Sequence, residues 1–175
     1  MITVVATGGF DPIHSGHINY LKEAALSGTR LVVGVNSDEW LSRKKGRSFM
    51  PWEERAAIVR ELSCVDEVIS FDDSDDTAIH ALEQVKLYYP NDRIVFVNGG
   101  DRTSDNIPEM SVESVEFEFG IGGNNKANSS SWILKEWAQP TVQRKWGTYT
   151  VLAQNGQWAV KELSFDVGQA LSDQR

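Results

Sequence analysis

One cysteine in 175 residues excludes an internal disulfide, and a lone thiol fits a reducing compartment. Long apolar runs are missing as well, so no stretch is expected to cross a bilayer. The start of the chain enters a β-branched stretch directly, without the charged and apolar regions of a secretory signal. Positive charge is the minority, with 17 Lys and Arg against 25 Asp and Glu and a net charge of −8. That balance argues against a general nucleic-acid binder, whose footprint is basic. The expectation is a soluble, cytoplasmic globular protein with neither nucleic acid nor membrane as a partner. Its length suits one ordinary domain plus a small addition.

Against this acidic background, the first seventeen residues carry the densest signal. Ile2-Thr3-Val4-Val5-Ala6 is apolar and β-branched, as a buried strand is. Thr7-Gly8-Gly9-Phe10-Asp11-Pro12-Ile13-His14-Ser15-Gly16-His17 follows, and then a helix with Ile18, Leu21, Ala25 and Leu26 on one face, closed by Gly28. Gly8 and Gly9 permit a tight turn and a close approach of backbone to ligand. The start of a helix offers unpaired N–H groups and the positive end of a dipole, which suits a phosphate. His14 and His17 lie three apart, so both can face one anion.

Further along, apolar runs alternate with helical patterns. Leu31–Val35 reads as a strand covered on both faces and ends in Asn36-Ser37-Asp38. Trp40 to Met50 reads as an irregular segment carrying the basic cluster Arg43-Lys44-Lys45-Gly46-Arg47. In an acidic protein such a cluster points to a small anionic ligand or to a solvated loop. Pro51 opens a helix whose apolar face is Ile58, Val59 and Leu62. Val65 to Phe71 is a third strand. Asp72 to Asp76 caps a helix bearing Ile79, Leu82 and Val85, with His80 on its exposed side. Ile94–Val97 is a strand closed by Asn98-Gly99-Gly100-Asp101, and Ser114 to Phe119 is a half-exposed strand. Ser129-Ser130-Ser131 then begins a helix with Ile133, Leu134 and Trp137. The alternation predicts an α/β fold, a Rossmann-like parallel sheet with helices on both faces, spanning residues 1–138. Ligands of such folds bind beyond the carboxyl ends of the strands.

From 139 to 175 the pattern becomes a linker and a β-hairpin flanking Asn155-Gly156. This tail is too short to bury a core unaided. Trp146, Tyr149, Trp158 and Phe165 call for a partner surface. A homodimer is the expected assembly.

His14-Ser15-Gly16-His17 after Gly9-Phe10-Asp11-Pro12 resembles the HxGH signature of the nucleotidyltransferase superfamily. That superfamily includes glycerol-3-phosphate cytidylyltransferase, the adenylyltransferase domain of ADP-heptose synthesis and other adenylyltransferases. The resemblance, over residues 2 to about 138, implies that His14 and His17 contact nucleotide phosphates and stabilise the transition state at the α-phosphorus. It further implies that Lys44 or Lys45 grips triphosphate or acceptor, with Lys44 as the catalytic choice and Lys45 as a binding residue. Arg55 would hold a phosphate by two bonds; its other reading is a surface ion pair. Gly8, Gly9, Phe10 and Asp11 would line the nucleotide site, with Gly99, Gly100 and Asp101 near base or ribose. Ser129, Ser130 and Ser131 resemble the Ser-Thr-Thr motif that binds the outer phosphates. Members often carry an arginine where Asn124 stands here, and Lys126 is its expected substitute as a point charge. The implied reaction takes a nucleoside triphosphate and a phosphorylated small acceptor, with Mg²⁺ bound mainly through nucleotide phosphates and no metal site on the protein. The first reading is transfer of CMP from CTP to a polyol or sugar phosphate. Alternatives are ATP acting on a sugar 1-phosphate such as a heptose phosphate, and a non-catalytic nucleotide-binding module of a fusion protein. The tail from Lys145-Trp146-Gly147-Thr148-Tyr149 onward resembles the opening of a mannose-6-phosphate isomerase-type cupin.

Overall fold

The computed structural model describes residues 1–100, 102–103, 107–123, 130–137, 141–154 and 157–170. The chain divides into two compact units, Met1–Ser130 and Ser131–Arg175.

In the first unit five strands form one sheet: β1 (Ile2–Gly8), β2 (Arg30–Val35), β3 (Glu67–Ile69), β4 (Arg93–Gly99) and β5 (Val115–Ile121). Their order is β3-β2-β1-β4-β5, and every pairing is parallel. Helices α1 (Ser15–Ala24), α2 (Asp38–Lys45), α3 (Trp52–Arg60) and α4 (Ile79–Tyr88) connect the strands, and α5 begins at Ser130. The chain builds outward from β1 through β2 to β3, then crosses back to place β4 on the other side of β1. The connections that follow β1 and β4 therefore diverge, which opens a crevice at their carboxyl ends.

Alternation along the central strands supplies both faces of the core. Val4, Ala6, Val33, Val35, Val95 and Val97 pack with Leu21 and Ala24 of α1 and Val59 of α3. Val5, Val32, Ile94 and Phe96 pack on the opposite face with Ala81, Leu82 and Val85 of α4. Such continuous apolar strands are what a doubly covered parallel sheet requires.

Three local expectations need correction. The segment from Trp40 is not irregular: Asp38–Lys45 is helical, because Ser37 accepts from the Trp40 N–H and Gly46 ends the helix at φ 87°. Leu41, not Trp40, is its buried residue. The inward residues of α3 are Arg55, Ala56 and Val59, whereas Ile58 is exposed. The Asp72–Asp76 run does not cap α4. Asp75 accepts from the Thr77 N–H in a local turn, and the N–H of Ala78, at the start of α4, donates to Glu109 Oε1 at 2.8 Å.

The second unit holds an antiparallel sheet in the order β6-β7-β8 (Thr141–Arg144, Gly147–Gln154, Ala159–Phe165). The β7–β8 pair is the expected hairpin, although its Asn155-Gly156 turn lies outside the described residues. The sequence pattern did not disclose β6. Trp146 stacks on Tyr149 at 6.5 Å, and Lys161 Nζ lies 4.5 Å above the Tyr149 ring.

Candidate active site

β1 delivers the Gly8–Pro12 turn to the crevice, and α1 starts immediately after it. His14 is the N-cap: its backbone is extended, and its Nδ1 accepts from the Gly16 N–H at 3.1 Å. An imidazole nitrogen that accepts carries no proton, so neutral His14 bears its hydrogen on Nε2. His17 follows on the same side of the first turn. The two rings stack with centroids 3.8 Å apart and planes inclined by 26°. Burial, followed by the neighbouring charges of His14 and Lys45, pushes the pKa of His17 down to about 3. His17 is therefore uncharged near neutral pH, and among the described residues its buried Nδ1 has no hydrogen-bond partner.

The turn itself is shaped by packing. A Cβ on Gly8 would lie 3.0 Å from the Phe10 ring, and one on Gly9 would lie 2.8 Å from Leu41 Cδ2. The absence of a Cβ at these glycines admits the protein's own side chains. At Phe10 the ring, as distinct from the backbone, is likewise taken up by the protein. Its ring is 2% exposed and meets His17 edge-on at 5.2 Å, so its side chain supports the imidazole. Asp11 is wholly buried, and its two carboxylate oxygens accept from the N–H groups of Phe49 and Met50 at 2.7 and 2.8 Å. It ties the α2–α3 loop to the turn, and a carboxylate committed to two backbone donors has its charge already met.

The two lysines part company. Lys45 Nζ donates to the Asp11 carbonyl at 3.1 Å, and its charge is felt at His17. Burial lowers its own pKa. Lys44 lies 3.9 Å from Asp76 Oδ2 and over the Trp40 ring at 5.9 Å. Lys45, and not the expected Lys44, is the lysine that the fold brings to the histidines. The physical reason is helical: Lys45 is four residues after buried Leu41, whereas Lys44 stacks one turn after Trp40.

Arg55 requires a larger correction, since it is neither exposed nor directed at an open anion site. It has no exposure, and its guanidinium donates to Met50 O, Gly9 O, Asn36 O and Asp38 Oδ1. Asp38 meanwhile accepts from the Trp52 N–H at 3.2 Å.

At the end of β4, a Cβ on Gly99 would meet Ile121 O at 2.9 Å and the Tyr20 ring at 3.2 Å. Gly100 adopts φ 70° with open space around it, as a turn glycine does. Tyr20 of α1 donates its hydroxyl to Val97 O at 2.9 Å, and burial pushes its pKa above the usual phenol range. Ser130 donates to the Pro12 carbonyl at 2.9 Å, which ties that residue to the turn after β1. Ser131 is exposed in the first turn of α5. Asp101, Lys126 and Ser129 lie outside the described residues.

Sequence reasoning missed several supports. Asp73 is 3% exposed and accepts from Asn36 Nδ2, Ser37 N and Ser37 Oγ at 3.0, 2.8 and 2.6 Å. It fixes the turn after β2, from which α2 and Lys45 spring. Nothing in an acidic run distinguishes the one carboxylate that will turn inward. The role of Lys45 was available from helical spacing, once Ser37 and Gly46 are read as caps.

Comparison with known proteins agrees with this geometry. The chain is 36% identical over 143 residues to the bifunctional protein HldE of Geobacter sulfurreducens, covering 78% of this chain and 28% of that one. It is 40% identical over 145 residues to the HldE of Syntrophotalea carbinolica, with the same coverage. The chain thus spans about a quarter of the length of these curated relatives. The crystal structure of a lipopolysaccharide core biosynthesis protein from Thermoplasma volcanium matches at 28% identity and a TM-score of 0.52, over 68% of this chain and 95% of that one. A bifunctional NMN adenylyltransferase/ADP ribose pyrophosphatase of Francisella tularensis, complexed with AMP and a manganese ion, shares the fold. Its identity is 13% and its TM-score 0.58, over 78% of this chain and 41% of that one. A family model described as cytidylyltransferase-like matches residues 5–134. It stops short of the tail, so the cupin-like reading gains no support from it. Residues 5–134 contain the crevice, both histidines and Lys45, and the chain belongs to this cytidylyltransferase-like family of the nucleotidyltransferase superfamily.

Proposed function

We propose that the domain over residues 1–138, as a homodimer, transfers a nucleotidyl group from a nucleoside triphosphate to a phosphorylated polyol or sugar and releases pyrophosphate. The observation that carries this reading is the stacked pair His14 and His17 at the start of α1, 3.8 Å apart, with Lys45 beside them. An acceptor phosphate oxygen forms the new bond to the α-phosphorus, and the bond from that phosphorus to the bridging oxygen of the leaving pyrophosphate breaks. Both reactants are polyanions, so the work is to offset repulsion and hold the groups in line. His14, whose Nδ1 accepts from the Gly16 N–H, offers its Nε2–H to a phosphoryl oxygen. The charge of Lys45 stands close enough to meet the negative charge that develops. Phosphate binding raises the pKa of the His17 imidazole, because an adjacent anion favours its charged form.

The local carboxylates, Asp11 and Asp38, are already held by N–H donors and by Arg55. Among the described residues no group of three or more His, Cys, Asp or Glu could hold a metal ion. A Mg²⁺ carried by the triphosphate would neutralise phosphate charge with few protein ligands. No helix among the described residues is long and apolar enough to cross a membrane.

CTP is the first reading of the donor. ATP acting on a sugar 1-phosphate is the second, and the similarity to the lipopolysaccharide core biosynthesis protein favours a sugar phosphate as acceptor. The test is a panel of CTP, ATP, GTP and UTP against glycerol 3-phosphate and several sugar 1-phosphates, with pyrophosphate as readout. One pair should dominate. Release no faster than the uncatalysed background with every pair would leave the chain a non-catalytic nucleotide-binding module.

A further inference from the structure

Arg55 sits beneath three loops at once. Its acceptors are Gly9 in the turn after β1, Asn36 and Asp38 around the turn after β2, and Met50 in the α2–α3 loop. Three of the four are backbone carbonyls, and the side chain has no exposure. A guanidinium so committed is not available to a phosphate. It does, however, dictate which way the peptides it holds are turned.

In a planar trans peptide the carbonyl and the following N–H point in opposite directions. Arg55 Nη1 takes the Asn36 carbonyl at 2.9 Å, and the N–H of the same peptide, on Ser37, points the other way and meets the Asp73 carboxylate at 2.8 Å. The same nitrogen takes the Gly9 carbonyl at 2.7 Å. By the same geometry the Phe10 N–H points away from Arg55, and among the described residues no acceptor meets it. Phe10 holds φ 48°, a left-handed conformation that a bulky residue adopts only under constraint. One peptide thus presents its N–H to an anionic oxygen of the protein, while its neighbour presents the equivalent N–H unmatched, four residues before His14.

We propose that Arg55 is a positioning residue: it locks the Gly9–Phe10 peptide so that the Phe10 N–H is aimed at a phosphoryl oxygen, without touching phosphate itself. This rests on the nucleotidyltransferase reading and adds the device that keeps one donor of the anion site preset. It also turns two carbonyl dipoles away from the incoming polyanion.

The experiment uses the full chain, inorganic pyrophosphate as probe and amide resonances by NMR. In the wild type, pyrophosphate should shift the Phe10 amide among the largest changes in the spectrum. Arg55→Lys keeps the charge but loses the fork. Before any ligand is added, it should already displace the Phe10 and Ser37 amides. It should weaken pyrophosphate binding roughly tenfold or more, the scale of a lost hydrogen bond to a charged group, and raise KM for triphosphate while leaving KM for acceptor unchanged. If Arg55 instead bound phosphate directly, the ligand-free Phe10 amide of the variant would stay at its wild-type position, and the proposal would fall. A wild-type Phe10 amide that ignores pyrophosphate overturns it too, whether or not the variant folds. Failure of the whole functional reading shows separately, as absence of turnover in the wild type.

Discussion

Lys45 Nζ reaches the Asp11 carbonyl at 3.1 Å, while its neighbour Lys44 leans toward Asp76 on the other flank of α2. Adjacent residues of like charge are thereby sorted by a rotation of about 100° around one helix. Lys45→Met should raise KM for the triphosphate roughly tenfold or more, the scale for removing a charge-assisted contact. Lys44→Met should stay within about twofold, since an exposed ion pair contributes little. Steady-state pyrophosphate release with both variants decides, and equal effects would refute the assignment.

His17→Asn should lower kcat by roughly a hundredfold or more, as removal of one transition-state contact does. Wild-type pyrophosphate release from the purified variant would contradict that role.

The same substitution tests the buried, neutral state of the ring. The pKa of His17 lies near 3 in the folded protein, below the ordinary value of about 6.5. Between these values the unfolded chain binds a proton that the folded chain does not, so stability falls as pH drops through that window and levels off below it. The contribution is at most about 1.4 kcal/mol per pH unit. Urea melts of wild type and His17→Asn at several pH values from 6.5 to 4 should diverge, with the wild type losing more. Parallel curves would mean the ring protonates normally.

Asp11→Asn replaces one acceptor of a backbone N–H with a donor. Leaving either the Phe49 or the Met50 N–H unmatched should cost about 1–3 kcal/mol, read as a lower urea midpoint. Faster hydrogen exchange at those two amides would locate the damage in the α2–α3 loop.

Gly9→Ala places a methyl group 2.8 Å from Leu41 Cδ2, an overpacking that should cost about 1–3 kcal/mol. Pairing it with Leu41→Ala should recover part of the loss. If the double variant is no more stable than the sum of the single effects predicts, the two side chains do not compete for that space.

Much of this architecture was legible because the signals were periodic. Uninterrupted apolar runs, such as Leu31–Val35 and Ile94–Val97, read as buried strands of a parallel sheet, whereas the order β3-β2-β1-β4-β5 emerged only from the structure. The histidine pair was legible because a glycine turn between a strand and a helix leaves few other conformations. What escaped was tertiary. Arg55 was expected to hold a phosphate or to form a surface ion pair, since no local pattern reveals that its donors will find Gly9 and Asn36 from a distant helix. Asp73 could not be told from Asp72, Asp75 or Asp76, because only the folded turn after β2 distinguishes them. Helix α2 was hidden by its three consecutive basic residues, which suggested a loop although Arg43 and Lys44 pair with Asp76 and Lys45 turns inward.

Phe10 belongs to two worlds. Its ring is packed among Val4, Ala6, Val33 and Leu21, and its edge carries His17. Hydrocarbon and chemistry therefore cannot evolve independently at this end of the sheet, for any repacking around Phe10 tilts the imidazole above it. A redesign that seeks a new base or a new acceptor will find its freedom in the turn after β4, where Gly100 has open space around it.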